Sequence, residues 1–249
     1  MKRFNHFAHN QFKILKTHLE AYRENPDAEG VHQIRVDIKK IKAVLETIGA
    51  CRKSFKMHRQ YVPFRTVFRS ADIIRRLDLF HTLASETEAA IPTSTAAEDG
   101  PCSDFSIVVD RFAKKIKKRK RKIEPWLRGV HKKPLRRFLK RLQKQIRCKL
   151  YPHLSITDIH KTRKSVKTVL YIAQATHSLK KEKIHFFNAL QESIGMLHDN
   201  QLLLATSTHA ADRHAAKVAI THGIRKIKAM TVRFYRPNPN NVHHNATAV

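Results

Sequence analysis

Three observations predict an all-α fold for this chain. Six glycines in 249 residues are too few for a hairpin-rich architecture or a glycine-rich phosphate loop. Apolar residues recur at spacings of three and four almost throughout, as expected of helices packed on one face. A pattern of histidine, arginine and lysine in residues 31–48, VHQIRVDIKKIKAVLETI, returns in residues 159–172, IHKTRKSVKTVLYI, so a helical segment is repeated within the chain.

Taken in order, Phe4, Phe7, Phe12, Leu15 and Leu19 predict a first helix to about Tyr22, closed by the ENPD turn, where Pro26 disfavours continuation. The first copy of the pattern forms the second helix and stops near Gly49. A third helix runs over 58–88 with Pro63 near its beginning. Residues 91–104, IPTSTAAEDGPCSD, lose the periodicity and gather Pro, Gly, Ser and Thr, which predicts a loop. The fourth helix, IVVDRFAKKIKKRKRKIEPWLRG, is punctuated by Pro125 and Gly129. The second half restarts with KKPLRRFLKRLQKQIRCKL, in which Leu135, Phe138, Leu139, Leu142 and Ile146 keep helical spacing. Thr157 or Asp158 is placed to cap the sixth helix by accepting a hydrogen bond from a first-turn amide. Helices over 182–207 and 212–235 follow, and residues 237–249 are expected to be disordered. Each half then holds four helices, with the repeated pattern on the second. The expected domains are 1–129 and 130–236.

On a helix turning about 100° per residue, His32, Arg35, Lys39 and Lys42 lie within an arc of about 80°. Beside it runs an apolar arc of Val31, Ile34, Ile38, Ile41, Leu45 and Ile48. His160, Arg163 and Lys167 repeat the offsets, and Leu170 stands in the place of Lys42. Arg supplies planar paired donors, Lys a mobile point charge and protonated His a further donor, a set suited to a row of phosphates. Crowded cations should lower the histidine pKa in the empty protein, and a bound polyphosphate should reverse this. His32 and His160 can equally be buried hydrogen-bonding groups that fix the helix.

These residues resemble the CHAD family, the conserved histidine α-helical domain, whose hallmark is a duplicated H-x-x-R helix followed by further basic residues. The helix after each copy in that family ends in an R-D-x-D or L-G-x-x-x-D type signature. ADIIRRLDLF, with Arg75 and Asp78, and LQESIGMLHDNQLLL, with Gly195, His198 and Asp199, are similar to it, although Arg76 occupies the usual acidic position. The resemblance covers about residues 5–235. It implies duplicated four-helix bundles related by pseudo-twofold symmetry around a basic central groove or pore that binds inorganic polyphosphate. The residues it marks as polyphosphate ligands are His32, Arg35, Lys39, Lys40, Lys42 and Arg75 in the first half, and His160, Arg163, Lys164 and Lys167 in the second. Asp78, Asp199 and Tyr171 support them, the aspartates either by holding motif arginines or as surface ion pairs worth little.

Charge agrees with an anionic partner. Fifty Lys and Arg against 20 Asp and Glu give a formal net charge of +30, a self-repulsion that a polyanion relieves. Nine of the twelve residues from Arg111 to Lys122 are basic, so nucleic acid is the alternative partner, bound without sequence preference because no base-reading motif is present. A third reading, a metal-dependent phosphohydrolase using the 17 histidines, lacks an H-E-x-x-H or comparable constellation. The expectation is a binding protein rather than an enzyme, with no metal or cofactor. No secretory leader or run of 18 apolar residues appears, so membrane insertion is not expected. Three cysteines without C-x-x-C spacing fit a reducing cytoplasm, and a polyanion partner there would place the protein at polyphosphate granules or the nucleoid.

Overall fold

The computed structural model describes residues 1–86, 100–152, 154 and 156–236, and for residues 75–86, 100–104, 156 and 157 the backbone alone. The described residues form eight helices: α1 Lys2–Glu24, α2 Ala28–Cys51, α3 Met57–Glu86, α4 Gly100–Leu127, α5 Lys132–Leu150, α6 Ile156–Thr176, α7 Lys181–Thr206 and α8 Ala210–Tyr235. The fold is all-α, with no strand among the described residues.

Two boundaries differ from the sequence reading. Helix α4 already begins at Gly100, so residues 100–104 are helical rather than loop. A proline in the first turn costs nothing there, because the amide it lacks would have had no intrahelical partner. Helix α6 begins at Ile156, which puts Thr157 and Asp158 inside its first turn instead of at the cap. There the Asp158 carboxylate acts through its charge on the positive end of the helix. Most of the predicted loop, and the tail expected to be disordered, lie outside the described residues.

The chain divides into two compact units, Met1–Leu135 and Arg136–Val249. In the first, α1 packs on α2 and α4, and α3 packs on the same two, closing a ring of four helices. The grooves α2–α3 and α1–α4 therefore lie on opposite sides of this ring. Its centre is aromatic: Phe64 meets Phe12 edge-on at 6.0 Å and Phe112 at 5.3 Å. The predicted apolar stripe of α2 is the core contribution of that helix, with Val31, Ile34, Ile38, Ile41, Leu45 and Ile48 all at most 2% exposed. Burying each such side chain is worth about 1.5–3 kcal/mol, which fixes the rotation of α2 and hence the direction of its cationic edge.

The entry to α2 is fixed as firmly. The Asp27 carboxylate accepts the Gly30 amide at 2.6 Å, an N-cap worth about 1 kcal/mol. A Cβ on Gly30 would come within 2.8 Å of that carboxylate and 3.0 Å of the Tyr22 ring. Glycine here lets the cap and the end of α1 close on one another.

In the second unit α7 packs on α6 and α8. Ile146 and Leu150 of α5 join Val166 and Val169 of α6, Phe187 and Leu190 of α7 and Ile227 of α8 in one buried cluster. Phe186 stacks flat on Phe234 at 3.7 Å. No described helix is long and apolar enough to cross a membrane.

Candidate functional site

His32 stands four residues after Ala28 at the start of α2, and His160 four residues after Ile156 at the start of α6. Each pattern thus begins about one turn into its helix, near the end where the macrodipole favours anions. The two imidazoles are exposed, which does not fit the buried, helix-fixing alternative.

On α2, Arg35 is turned inward toward α3. Its residue is 6% exposed; Nη2 lies 2.7 Å from Asp72 Oδ1 and Nη1 donates to the Ala71 carbonyl at 3.4 Å. Its guanidinium also lies 5.0 Å from the Phe68 ring centroid, and the Lys39 ammonium lies 5.7 Å from the same ring. Lys42 continues the line, 5.5 Å from the Tyr61 ring and 3.6 Å from Glu46. Burial, helped by the Glu46 charge, pushes the Tyr61 hydroxyl up to about 12, so this ring stays neutral and keeps its attraction for the ammonium. The structure brings together Arg35, Lys39 and Lys42 along α3.

Lys40 is not part of that line. It leans 3.9 Å from Asp37, which is 1% exposed and takes a 2.6 Å hydrogen bond with His18 Nδ1 of α1. Burial holds the Asp37 carboxyl above its ordinary value, while His18 and Lys40 oppose that shift. Arg75 and Asp78 fall on the stretch of α3 whose side chains are outside the described residues. Sequence reasoning passed over Tyr61, Phe68 and Asp72. Their spacing of seven and four, with Arg65 between, marks one stripe of α3 and was the available signal.

On α6 the arrangement is similar with less acid. Arg163 lies against Gly195 of α7, where a Cβ would come within 2.8 Å of Nη2. Both motif arginines therefore rest over a small residue of the following helix, Ala71 or Gly195. Arg163 makes no ion pair among the described residues, and its buried Nε has no hydrogen-bond partner among them. Lys164 is exposed, and Lys167 and Tyr171 are half-buried. Asp199 is exposed on α7 and holds no arginine among the described residues.

His160 meets a residue not marked as a ligand: its ring is 5.0 Å from that of His198. Desolvation first, and then the charges of Lys164, His198, Arg163 and Lys167, pull the His160 pKa below its ordinary value. Each of these effects disfavours a proton on the ring. Among the described residues no group of three His, Cys, Asp or Glu is placed to hold a metal ion.

The model of the CHAD domain family matches residues 6–207 of this chain. The crystal structure of the CHAD domain from the plant Ricinus communis is similar in fold, with a TM-score of 0.56 and 15% sequence identity, covering 92% of this chain and 90% of that one. No curated protein matches the chain.

Proposed function

Because this chain belongs to the CHAD domain family, we propose that it binds inorganic polyphosphate through the cationic faces of α2 and α6, as a cytoplasmic binding protein rather than an enzyme. The observation that carries the reading is the cluster around His160, whose ring lies 5.0 Å from that of His198 and which shares its end of α6 with the cations Arg163, Lys164 and Lys167. A phosphate chain brings negative charge to this cluster and accepts charge-assisted hydrogen bonds from its cations.

In this reading His32, Lys39 and Lys42 on α2, and His160, Arg163, Lys164 and Lys167 on α6, touch phosphate oxygens. Arg35, buried and engaged by Asp72, positions the α2 face instead. The family resemblance adds the finer part of the proposal, that the two four-helix units are duplicates and that each presents one such face to phosphate. The matching place of His32 and His160 in their helices supports it.

Competition binding tests the reading. Long-chain polyphosphate, duplex DNA and RNA are compared at matched phosphate concentration, with the expected order polyphosphate far ahead of either nucleic acid. Equal affinity for all three would replace polyphosphate by general polyanion binding. Release of phosphate that depends on a divalent metal would instead make the protein a hydrolase.

A further inference from the structure

The seam between α1 and α4 carries charges that the proposed polyphosphate faces do not use. Two contacts define its register: His9 Nε2 lies 3.6 Å from Glu124 at one end, and Arg23 Nη2 lies 2.7 Å from Asp110 at the other. At 1.5 Å per residue these ends are about 20 Å apart. Both fit one antiparallel register, in which base meets acid across each end. The same register sets Lys13 opposite Lys120 and Lys16 opposite Lys117, so in the middle of the seam base meets base.

Here the helices leave a hollow of about 340 Å³, lined by Lys13, Lys16, Lys117, Lys120 and Arg121. Its floor is apolar, formed by Phe12 and Ile116 at 3% and 1% exposure. Two carboxylates are near. Glu20 holds Lys16 at 2.5 Å, and Glu124, part of the lining, is engaged by His9. Neither accounts for Lys13, Lys117, Lys120 or Arg121. A merely solvated helix face requires no hollow and no apposition of like charges from two helices, whereas an anion seated between them requires both.

We propose that the α1–α4 hollow is a second anion site, which takes a compact oligophosphate of two or three linked phosphates. The volume falls at the small end of the range for small-molecule sites, about 300–1,000 Å³, so it suits a short ligand rather than a polymer. Lysine stems and the Phe12–Ile116 floor exclude water beneath the phosphates, which strengthens each charge-assisted contact. The site lies on the opposite side of the first ring from the α2–α3 groove, so it does not rest on the reading of that groove. The ligand can be a free inorganic chain or the end of a nucleoside triphosphate, since both present the same phosphates.

The experiment uses the full chain with Lys39→Ala, Arg163→Ala and Lys167→Ala, which weakens the proposed polyphosphate faces, and titrates it calorimetrically with tripolyphosphate. Adding Lys13→Ala, Lys117→Ala and Lys120→Ala should lower the remaining affinity at least tenfold. A control that adds Lys2→Ala, Lys53→Ala and Arg236→Ala instead should lower it less than threefold. Adenosine triphosphate is the second arm. Binding as tight as tripolyphosphate or tighter assigns the site to nucleotides, and weaker binding assigns it to inorganic chains. Independently of any variant, tripolyphosphate should protect Lys117 and Lys120 of the unmodified chain from acetylation more than it protects Lys2 and Lys53. Equal weakening by both triple sets, no residual tripolyphosphate binding, or uniform acetylation would overturn the proposal.

Discussion

Replacing Arg35 and Arg163 separately by alanine should separate stability from binding, although the two residues hold the same place in the repeated pattern. Arg35 has a side chain 7% exposed and a 2.7 Å ion pair with Asp72, which is itself 37% exposed. Breaking a fully buried pair costs about 3–5 kcal/mol, but Asp72 can rehydrate, so about 2 kcal/mol is appropriate here. Loss of the guanidinium from the Phe68 ring, 5.0 Å away, adds about 0.5–1 kcal/mol. At about 3 °C per kcal/mol for a chain of this size, Arg35→Ala should lower Tm by roughly 8 °C. Arg163 has no ion pair to lose among the described residues, and its removal relieves repulsion on His160. Arg163→Ala should therefore stay within about 3 °C of the parent while losing a charge-assisted phosphate contact. That contact is worth about 1.5–3 kcal/mol, or ten- to hundredfold in Kd. Circular dichroism melts and fluorescence titration with labelled polyphosphate measure the two quantities on the same samples. The reasoning fails if Arg35→Ala melts like the parent and Arg163→Ala binds like it.

Other expectations follow from the same geometry. Gly195→Ala should weaken polyphosphate binding by displacing the Arg163 guanidinium, yet leave Tm unchanged or raised, because alanine is the better helix former by about 1 kcal/mol; loss of both together would point to simple misfolding. The folded-state pKa of His160 is lowered, so the empty protein should lose stability as pH falls below about 6.5. A phosphate chain favours the protonated ring, so affinity should rise over the same interval, and titrations with His160→Gln should show a shallower rise. The folded-state pKa of Asp37 is raised, so the folded chain binds more protons just above the ordinary carboxylate range and should lose stability as pH rises through that window; melts of Asp37→Asn across this window should lack that slope. Affinity for polyphosphate should fall steeply with added salt; titrations at low and high ionic strength that agreed would refute the electrostatic account.

The helices were legible because their signal is local. Apolar spacing and proline or glycine punctuation located all eight within a few residues, and the one substantial error, the start of α4, came from reading Gly100 and Pro101 by composition when a first turn tolerates both. The exposed His32 and His160 and the half-buried Lys39 could be named from the repeat alone. The partners that these residues meet came from neighbouring helices. Asp72, Phe68 and Tyr61 reach α2 only through the α2–α3 register, and His198 reaches His160 only through α6–α7 packing, neither of which is written in any one segment. Lys40 is a different case: it lies about 100° from Lys39 on the helix, so its departure toward Asp37 was readable from the wheel.

The ring of Phe68 carries a kinetic consequence. A carboxylate that fixes a lysine subtracts a charge from the field in the surrounding water, whereas an aromatic face attracts the ammonium and leaves its charge intact. Lys39 is steadied in part by such a ring, and that part of the ordering of the α2 edge subtracts nothing from the field a ligand meets within about one Debye length, about 8–10 Å, of the surface. Electrostatic steering of this kind speeds encounter. A polyphosphate chain should reach this face at a rate set largely by ionic strength, and how long it stays should depend on contacts made after arrival.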